Sequence, residues 1–312
     1  MAMGLDQAVR HADPRVAAQA RAAQARAGQG RALVDAPPTL GVVAISYNEE
    51  EDMPGFLSNL IDWVDEIVIV DDGSTDRTEA LCAAAGPKVR FLKAPRRAGE
   101  YYSDQRNKGI DAARSAWLLH MDIDERVSPD LAVEIRKAIR DPGKDGFRYR
   151  RLNHFMHRPM RGGGWQDWNL VHLARREAFR FGGMFHETCH LDAPPSRTGQ
   201  LKGRMVHFNE HDFEKRLTKS DVYLEEVVKH LEARGTPVRG WRIAWAPAKE
   251  FLKKYLWKRG FLDGTPGLIA ALHSATAVFR AHALVWDRQN RVPRRVLEER
   301  AAWEAEKVIG DG

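Results

Sequence analysis

Asp122 and Asp124, in "LLHMDIDERVSP", stand one residue apart where an apolar run ends. A second acidic pair, Asp71 and Asp72, opens "DDGSTDRT" directly after "EIVIV". Ser46, Tyr47, Asn48 and Glu49 follow the apolar "GVVAI". Any one of these clusters is explained by turns and helix caps, which favour Asp, Gly, Ser and Thr. Two carboxylates on alternate positions also suit a hard divalent cation. Mg2+ or Mn2+ takes one or two protein carboxylates and completes its shell with phosphate oxygens and water. Such a cation stabilises the charge that grows on a departing diphosphate. A tyrosine and an acidic pair beside it can face a nucleobase, the ring stacking on it and a carboxylate accepting an N–H bond. A rival motif is "HETCH" at 186–190, an H-E-x-x-H pattern with Glu187 as the base of a zinc hydrolase. It requires one helical turn between His186 and His190. "FRFGG" upstream and "LDAPPS" downstream oppose a helix, and His207, Glu210 or His211 would have to supply the third ligand.

The elements that position these residues are read from periodicity. Strands are predicted at 41–46, 66–70, 89–93 and 117–121. Helices are predicted at 50–64, 74–86 with Gly86 as the stop, 103–115 and 128–139. Ser128 is the N-cap of the last helix and Pro129 its first residue. Strands alternating with helices imply an α/β fold, a mostly parallel sheet covered by helices on both faces. Such sheets bind ligands at the carboxyl ends of their strands, where all three polar clusters fall. No G-x-G-x-x-G follows the first strand and no G-x-x-x-x-G-K-[ST] occurs, so the site is acidic where dinucleotide and P-loop sites are glycine-rich. Two further strands, 146–155 and 169–176, flank the loop "RGGGWQDW", and a helix covers 213–235.

In this order and spacing, "AISYNEE", "IVIVDDGSTD", "RNKGI" and "MDIDE" resemble the nucleotide-sugar half of a family 2 glycosyltransferase with the GT-A, Rossmann-like fold. The resemblance covers residues 40 to 190. "MFHETCH" and "GFLDGTPGL" resemble the lipopolysaccharide-core and cell-envelope glucosyltransferase branch. It implies a UDP-sugar donor and a saccharide or lipid-linked saccharide acceptor. Asp71 or Asp72 accepts from the uracil ring, and Tyr47 packs on the base. Arg106 and Asn107 lie near the nucleotide, with Arg106 as a counter-charge. Asp122 contacts ribose or sugar and Asp124 holds the metal, with Asp122 as a second possible ligand. Inversion at the anomeric carbon needs a carboxylate base, for which Glu187 is the first choice and Asp167 the second. The domain division implied is a tail at 1–39, a catalytic domain at 40–235 split near 125 into nucleotide-sugar and acceptor halves, and an extension at 236–312.

Bulk properties limit the alternatives. The 312 residues carry 49 Lys+Arg against 43 Asp+Glu, a net +6, which suggests an anionic partner. Two cysteines, Cys82 and Cys189, provide no disulfide framework, and no signal-peptide core opens the chain, so the cytoplasm is expected. From Arg239 to Arg259, Trp241, Trp245, Phe251, Tyr255 and Trp257 are interleaved with lysines and arginines. That pattern fits stacking on nucleic acid or lying on an anionic membrane surface. The envelope resemblance favours a peripheral site on the inner face of the cytoplasmic membrane, with no nucleic acid. The apolar run after Gly267 extends about 12 residues before Arg280, too short to span a bilayer. A non-catalytic nucleotide or nucleic-acid binder on the same sheet remains as the other reading, and the intact acidic pair argues against it.

Overall fold

The computed structural model describes residues 37–183, 188–210, 213–235 and 237–301. Four parallel strands form its first half: β1 (Leu40–Ser46), β2 (Glu66–Asp71), β3 (Val89–Lys93) and β4 (Trp117–His120). The helices between and after them are α1 (Met53–Leu60), α2 (Thr78–Ala84), α3 (Tyr102–Ala112) and α4 (Pro129–Ala138). Strands β1, β2 and β4 are near-continuous apolar runs because both their faces are covered. Val42, Ala44, Ile67, Ile69 and Leu119 pack with α1, α2 and α4, while Val43, Val68, Val70 and Leu118 pack with Ile110 of α3 and with Phe179 and Phe181. Ser128 caps α4 as expected, accepting from the Leu131 amide at 3.3 Å.

The second half is mixed. It comprises β5 (Glu125–Val127), β6 (Gly146–Phe155), β7 (Arg158–Pro159), β8 (Asn169–Arg175) and β11 (Thr198–Glu210), with β9 (Phe179–Gly182) and β10 (Thr188–Leu191) forming a separate antiparallel pair. The main sheet runs β3-β2-β1-β4-β8-β6-β11-β5, with β7 beside β6. β8 is antiparallel to β4, β11 is parallel to β6, and β5 is antiparallel to β11. β6 and β8 lie where the sequence predicts strands, whereas β5 and the 13-residue β11 carry no such prediction. In β11 the buried positions Leu201, Met205 and His207 alternate with exposed Lys202 and Arg204, but Gly203 and His207 interrupt the apolar signal.

Three long helices follow: α5 (Phe213–Ala233), α6 (Gly240–Leu252) and α7 (Gly264–Asn290). Val228, Val238, Ala281 and Val285 form their shared core, while Phe213 at the start of α5 packs against Phe155 of β6. A π turn at Lys253–Trp257 and a 3-10 turn at Gly260–Asp263 link α6 to α7. The helical stretch Gly260–Asn290 is long and apolar enough, by length and composition, to cross a membrane. The expectation of a run too short to span therefore fails for the folded helix: Arg280 interrupts the apolar sequence but not the helix. About a third of the apolar window is buried in the fold, with Ala270, Ala271 and Ala275 among the buried residues.

Candidate active site

The loops after β1 and β2 are tied to each other. Asp71 is 2% exposed and both its oxygens are engaged. Oδ1 accepts from the Ser46 hydroxyl at 2.9 Å and the Ser74 hydroxyl at 2.5 Å, and Oδ2 from the Gly73 and Ser74 amides at 2.9 and 2.8 Å. Gly73 adopts φ +99°, which a side chain would resist, and so closes this turn. Asn48, itself at φ 54°, accepts from the Thr75 amide at 2.8 Å, while the Ser74 hydroxyl accepts from the Asn48 amide at 2.9 Å. The Glu49 amide donates to the Thr78 hydroxyl. Asp72 points the other way. It accepts from the Arg96 amide and Nε, each at 2.7 Å, and lines a cleft of about 620 Å³ with Ser46, Tyr47, Glu49, Arg96, Tyr102 and Gln105. Tyr47 is 59% exposed at its mouth. Of the two aspartates, Asp71 builds the turn and Asp72 faces the cleft.

The motif "RNKGI" lies on α3. Arg106 donates to Asp122 Oδ1 at 2.7 Å. Asn107 exchanges two bonds with the Phe181 backbone, at 2.9 and 3.0 Å, so its amide holds β9 and is not among the cleft-lining residues. A Cβ on Gly109 would lie 2.3 Å from Val43 Cγ1, so glycine lets α3 sit close against β1.

At the end of β4, Asp122 is held between two guanidiniums: Arg106 on Oδ1 and Arg151 on Oδ2, the latter at 2.9 Å. Burial works to raise its carboxyl, but Arg106 and Arg151 outweigh that and hold it well below the usual carboxylate range. Glu125, fully buried, accepts from the Asp122 amide at 2.9 Å and pairs with Arg151 Nε at 2.5 Å. Burial pushes the Glu125 carboxyl up, opposed by Arg151. Below them His172 is buried and pushed down to about 3, by burial first and then by Arg151 and Arg106. It stays neutral at physiological pH.

Asp124 faces His207. Its Oδ2 is 3.3 Å from His207 Nε2, and its Oδ1 is buried with no hydrogen-bond partner among the described residues. Asp122, Asp124 and His207 each offer a ligand atom, all within 4.8 Å of one another. β5 and β11 create this meeting: Glu125 pairs with His207, and the Phe208 amide donates to the Asp124 carbonyl at 2.9 Å. Asn153 fixes the imidazole. Its Nδ2 donates to the Trp165 carbonyl at 2.6 Å, which turns its Oδ1 toward His207 Nδ1 at 2.7 Å. A neutral ring must then carry its hydrogen on Nδ1 and aim the Nε2 lone pair at a carboxylate. That contact is repulsive unless a proton or a metal cation lies between the two, and the two carboxylates with an imidazole nitrogen are a donor set that fits a divalent cation.

The other candidates fare differently. Asp167, at the end of the 3-10 turn Trp165–Asp167, is paired with Lys258 of the C-terminal segment. Glu187 and His186 lie outside the described residues. His190 lies in β10, paired with Arg180 of β9, so the helix that H-E-x-x-H requires is absent and the zinc-hydrolase alternative falls. His207 appeared in the sequence only as an optional zinc ligand, and Arg151 and Asn153 not at all. Their signal was present in β6: Phe147, Tyr149, Arg151, Asn153 and Phe155 occupy alternate positions, and two polar groups on a core-facing row mark a site.

The chain is similar in sequence to known glycosyltransferases. Residues 41–192 match the family model for glycosyl transferase family 2. The chain is 26% identical over 267 residues to the lipopolysaccharide core biosynthesis glycosyltransferase LpsC of Rhizobium meliloti, covering 78% of this chain and 93% of that one. It is 23% identical over 273 residues to an uncharacterized glycosyltransferase of Rickettsia felis, covering 84% and 95%. Among solved structures, glucosyl-3-phosphoglycerate synthase from Mycobacterium tuberculosis, in complex with Mn2+, uridine diphosphate and glucosyl-3-phosphoglycerate, is 17% identical over 61% of this chain and 81% of that one, with a TM-score of 0.42. Residues 41–192 form a family 2 glycosyltransferase domain.

Proposed function

We propose that this glycosyltransferase moves a hexose from a UDP-sugar to a hydroxyl of a cell-envelope acceptor, lipopolysaccharide-like or lipid-linked, with inversion. The observation that carries the reading is the convergence of Asp122, Asp124 and His207, linked through Arg106 to Gln105 on the wall of the cleft that holds Tyr47 and Asp72. In this reading Tyr47 packs on the uracil ring and Asp72 accepts its N–H, because Asp71 is spent on the turn. Asp124 and His207 would hold Mg2+ or Mn2+, which supplies positive charge for the departing diphosphate. Asp122, with both oxygens taken by arginines, contacts ribose or sugar while Arg106 and Arg151 keep it ionised. Glu187 is the proposed base. Asp167, the second choice, would first have to leave Lys258. The acceptor class is supported by the likeness to LpsC. The domain division proposed is a nucleotide-sugar half to residue 125, an acceptor half to 235 and a membrane-proximal extension beyond.

The test is turnover of UDP-sugars with Mn2+, read as release of UDP. Asp124→Ala is expected to lower kcat by about 100-fold or more, several kcal/mol of lost charge stabilisation. Unchanged turnover would remove the metal assignment.

A further inference from the structure

We propose that the acceptor carries an oxyanion, a phosphate or carboxylate, and that Lys254 and Arg216 bind it. This inference rests on the transferase reading above and names the acceptor's chemical class. A cavity of about 480 Å³ lies between α5, α7 and the π turn, and its wall includes Asn209, Arg216, Glu250 and Lys254. It is separate from the cleft that holds Tyr47 and Asp72.

The cavity is linked to the metal cluster. Asn209 lies two residues past His207 on β11, about 7 Å along the strand. Arg216 reaches over the Trp165 ring at 5.3 Å, and the Trp165 carbonyl accepts from Asn153, which orients His207. Lys254 lines the cavity, and its Nζ stands 3.6 Å from where a Cβ on Gly164 would lie, with Asp167 Oδ2 the same distance from that point. That ammonium makes no hydrogen bond or ion pair among the described residues. Of the carboxylates near it, Glu250 is paired with Lys253 at 3.3 Å and Asp167 with Lys258. Burial pushes the Lys254 amine down, aided by Lys253 and Arg216 and opposed by Glu250 and Asp167, and an anionic ligand would act in the same direction as those carboxylates. An unpaired, part-buried ammonium and a guanidinium on one cavity wall, next to apolar Leu224 and Val278, form a site for a charged group on a larger body.

Saturation-transfer NMR on the full chain, saturated with UDP and Mg2+, tests this with glucose 6-phosphate, glucuronate and glucose. The charged sugars are expected to bind at least tenfold more tightly than glucose, the stronger of the two naming phosphate or carboxylate. Lys254→Met and Arg216→Met should each weaken that binding fivefold or more, and Lys254→Arg should restore most of it. UDP affinity should be unchanged in all three variants. Equal binding of the three sugars, no binding of either charged sugar, or binding unaltered in both methionine variants overturns the proposal. Failure of the wild-type chain to bind UDP would instead strike the donor reading and this inference with it.

Discussion

The two oxygens of Asp124 have different surroundings, one against His207 Nε2 and the other buried without a partner among the described residues. Both oxygens of Asp122 are engaged by arginines. Two aspartates separated by one residue therefore have unequal freedom to bind a ligand. The hydrogen bond from His207 to Asn153 sets which ring nitrogen is free, so Asn153 is a positioning residue for the proposed metal site. Asn153→Ala is expected to weaken Mn2+ affinity about 10–100-fold, the usual effect of losing such a partner. Calorimetric titration with Mn2+ checks this, and an unchanged affinity would show that the bond to Asn153 does not tune the ring.

Elements rather than single residues bring His207 to the acidic loop. It is 83 positions from Asp124 in sequence, and the short β5 docks against β11 to close that gap. The glycine loop after β7 is held from the C-terminal side: Asp263 accepts from the Arg161 and Gly162 amides at 2.7 and 2.8 Å, and the Lys258 carbonyl from Gly163 at 2.8 Å. A Cβ on Gly162 would lie 2.1 Å from the Arg259 carbonyl oxygen. Gly162→Ala should therefore cost about 1–3 kcal/mol and undock the segment, seen as faster hydrogen exchange at Gly163. Asp145 joins the start of β6 to β8 and to the turn before β11 through Arg175 and Arg197. Hydrogen bonds from Arg197, and then its charge, hold the Asp145 carboxyl below its ordinary value despite burial. A depressed carboxyl contributes stability above its unfolded value, about 3.9, and loses it as pH falls through the folded value. Asp145→Asn should thus flatten the fall of Tm below pH 4, by only about 1–2 °C because both arginines are over a third exposed. An identical acid slope in the variant would exclude this contribution.

At the scale of the whole molecule, apolar side chains collect on the C-terminal helices. Trp241 and Trp245 on α6 are 59% and 55% exposed, and Leu252 and Leu256 continue the same helical spacing. Leu268, Leu272, Phe279 and Trp286 form a second exposed row on α7. Exposed Lys249 and Lys253 flank the first row. Aromatics with lysines at their edge suit the headgroup layer of an anionic membrane, which supports the proposed peripheral location. The full chain should co-sediment with anionic vesicles at low salt and be released at high salt. Trp241→Ala with Trp245→Ala should weaken that binding at least tenfold without changing UDP affinity. Failure of the wild-type chain to bind such vesicles at low salt would remove the membrane claim.

By itself the sequence determined the parallel half of the sheet and its ligand-binding edge. Local chemistry suffices there: strands buried on both faces read as apolar runs, turns need Asp and Gly, and each polar cluster follows its strand directly. It also determined the domain's family, through motifs within 80 residues of one another. Only the tertiary structure separated Asp71 from Asp72, because the choice depends on which carboxylate the turn's amides consume. Only it gave Glu125 a partner and joined Arg151, Asn153 and His207 to the acidic loop. Those residues come from long strands whose order in the sheet differs from their order in the chain, and pairing between distant strands leaves no periodicity to read.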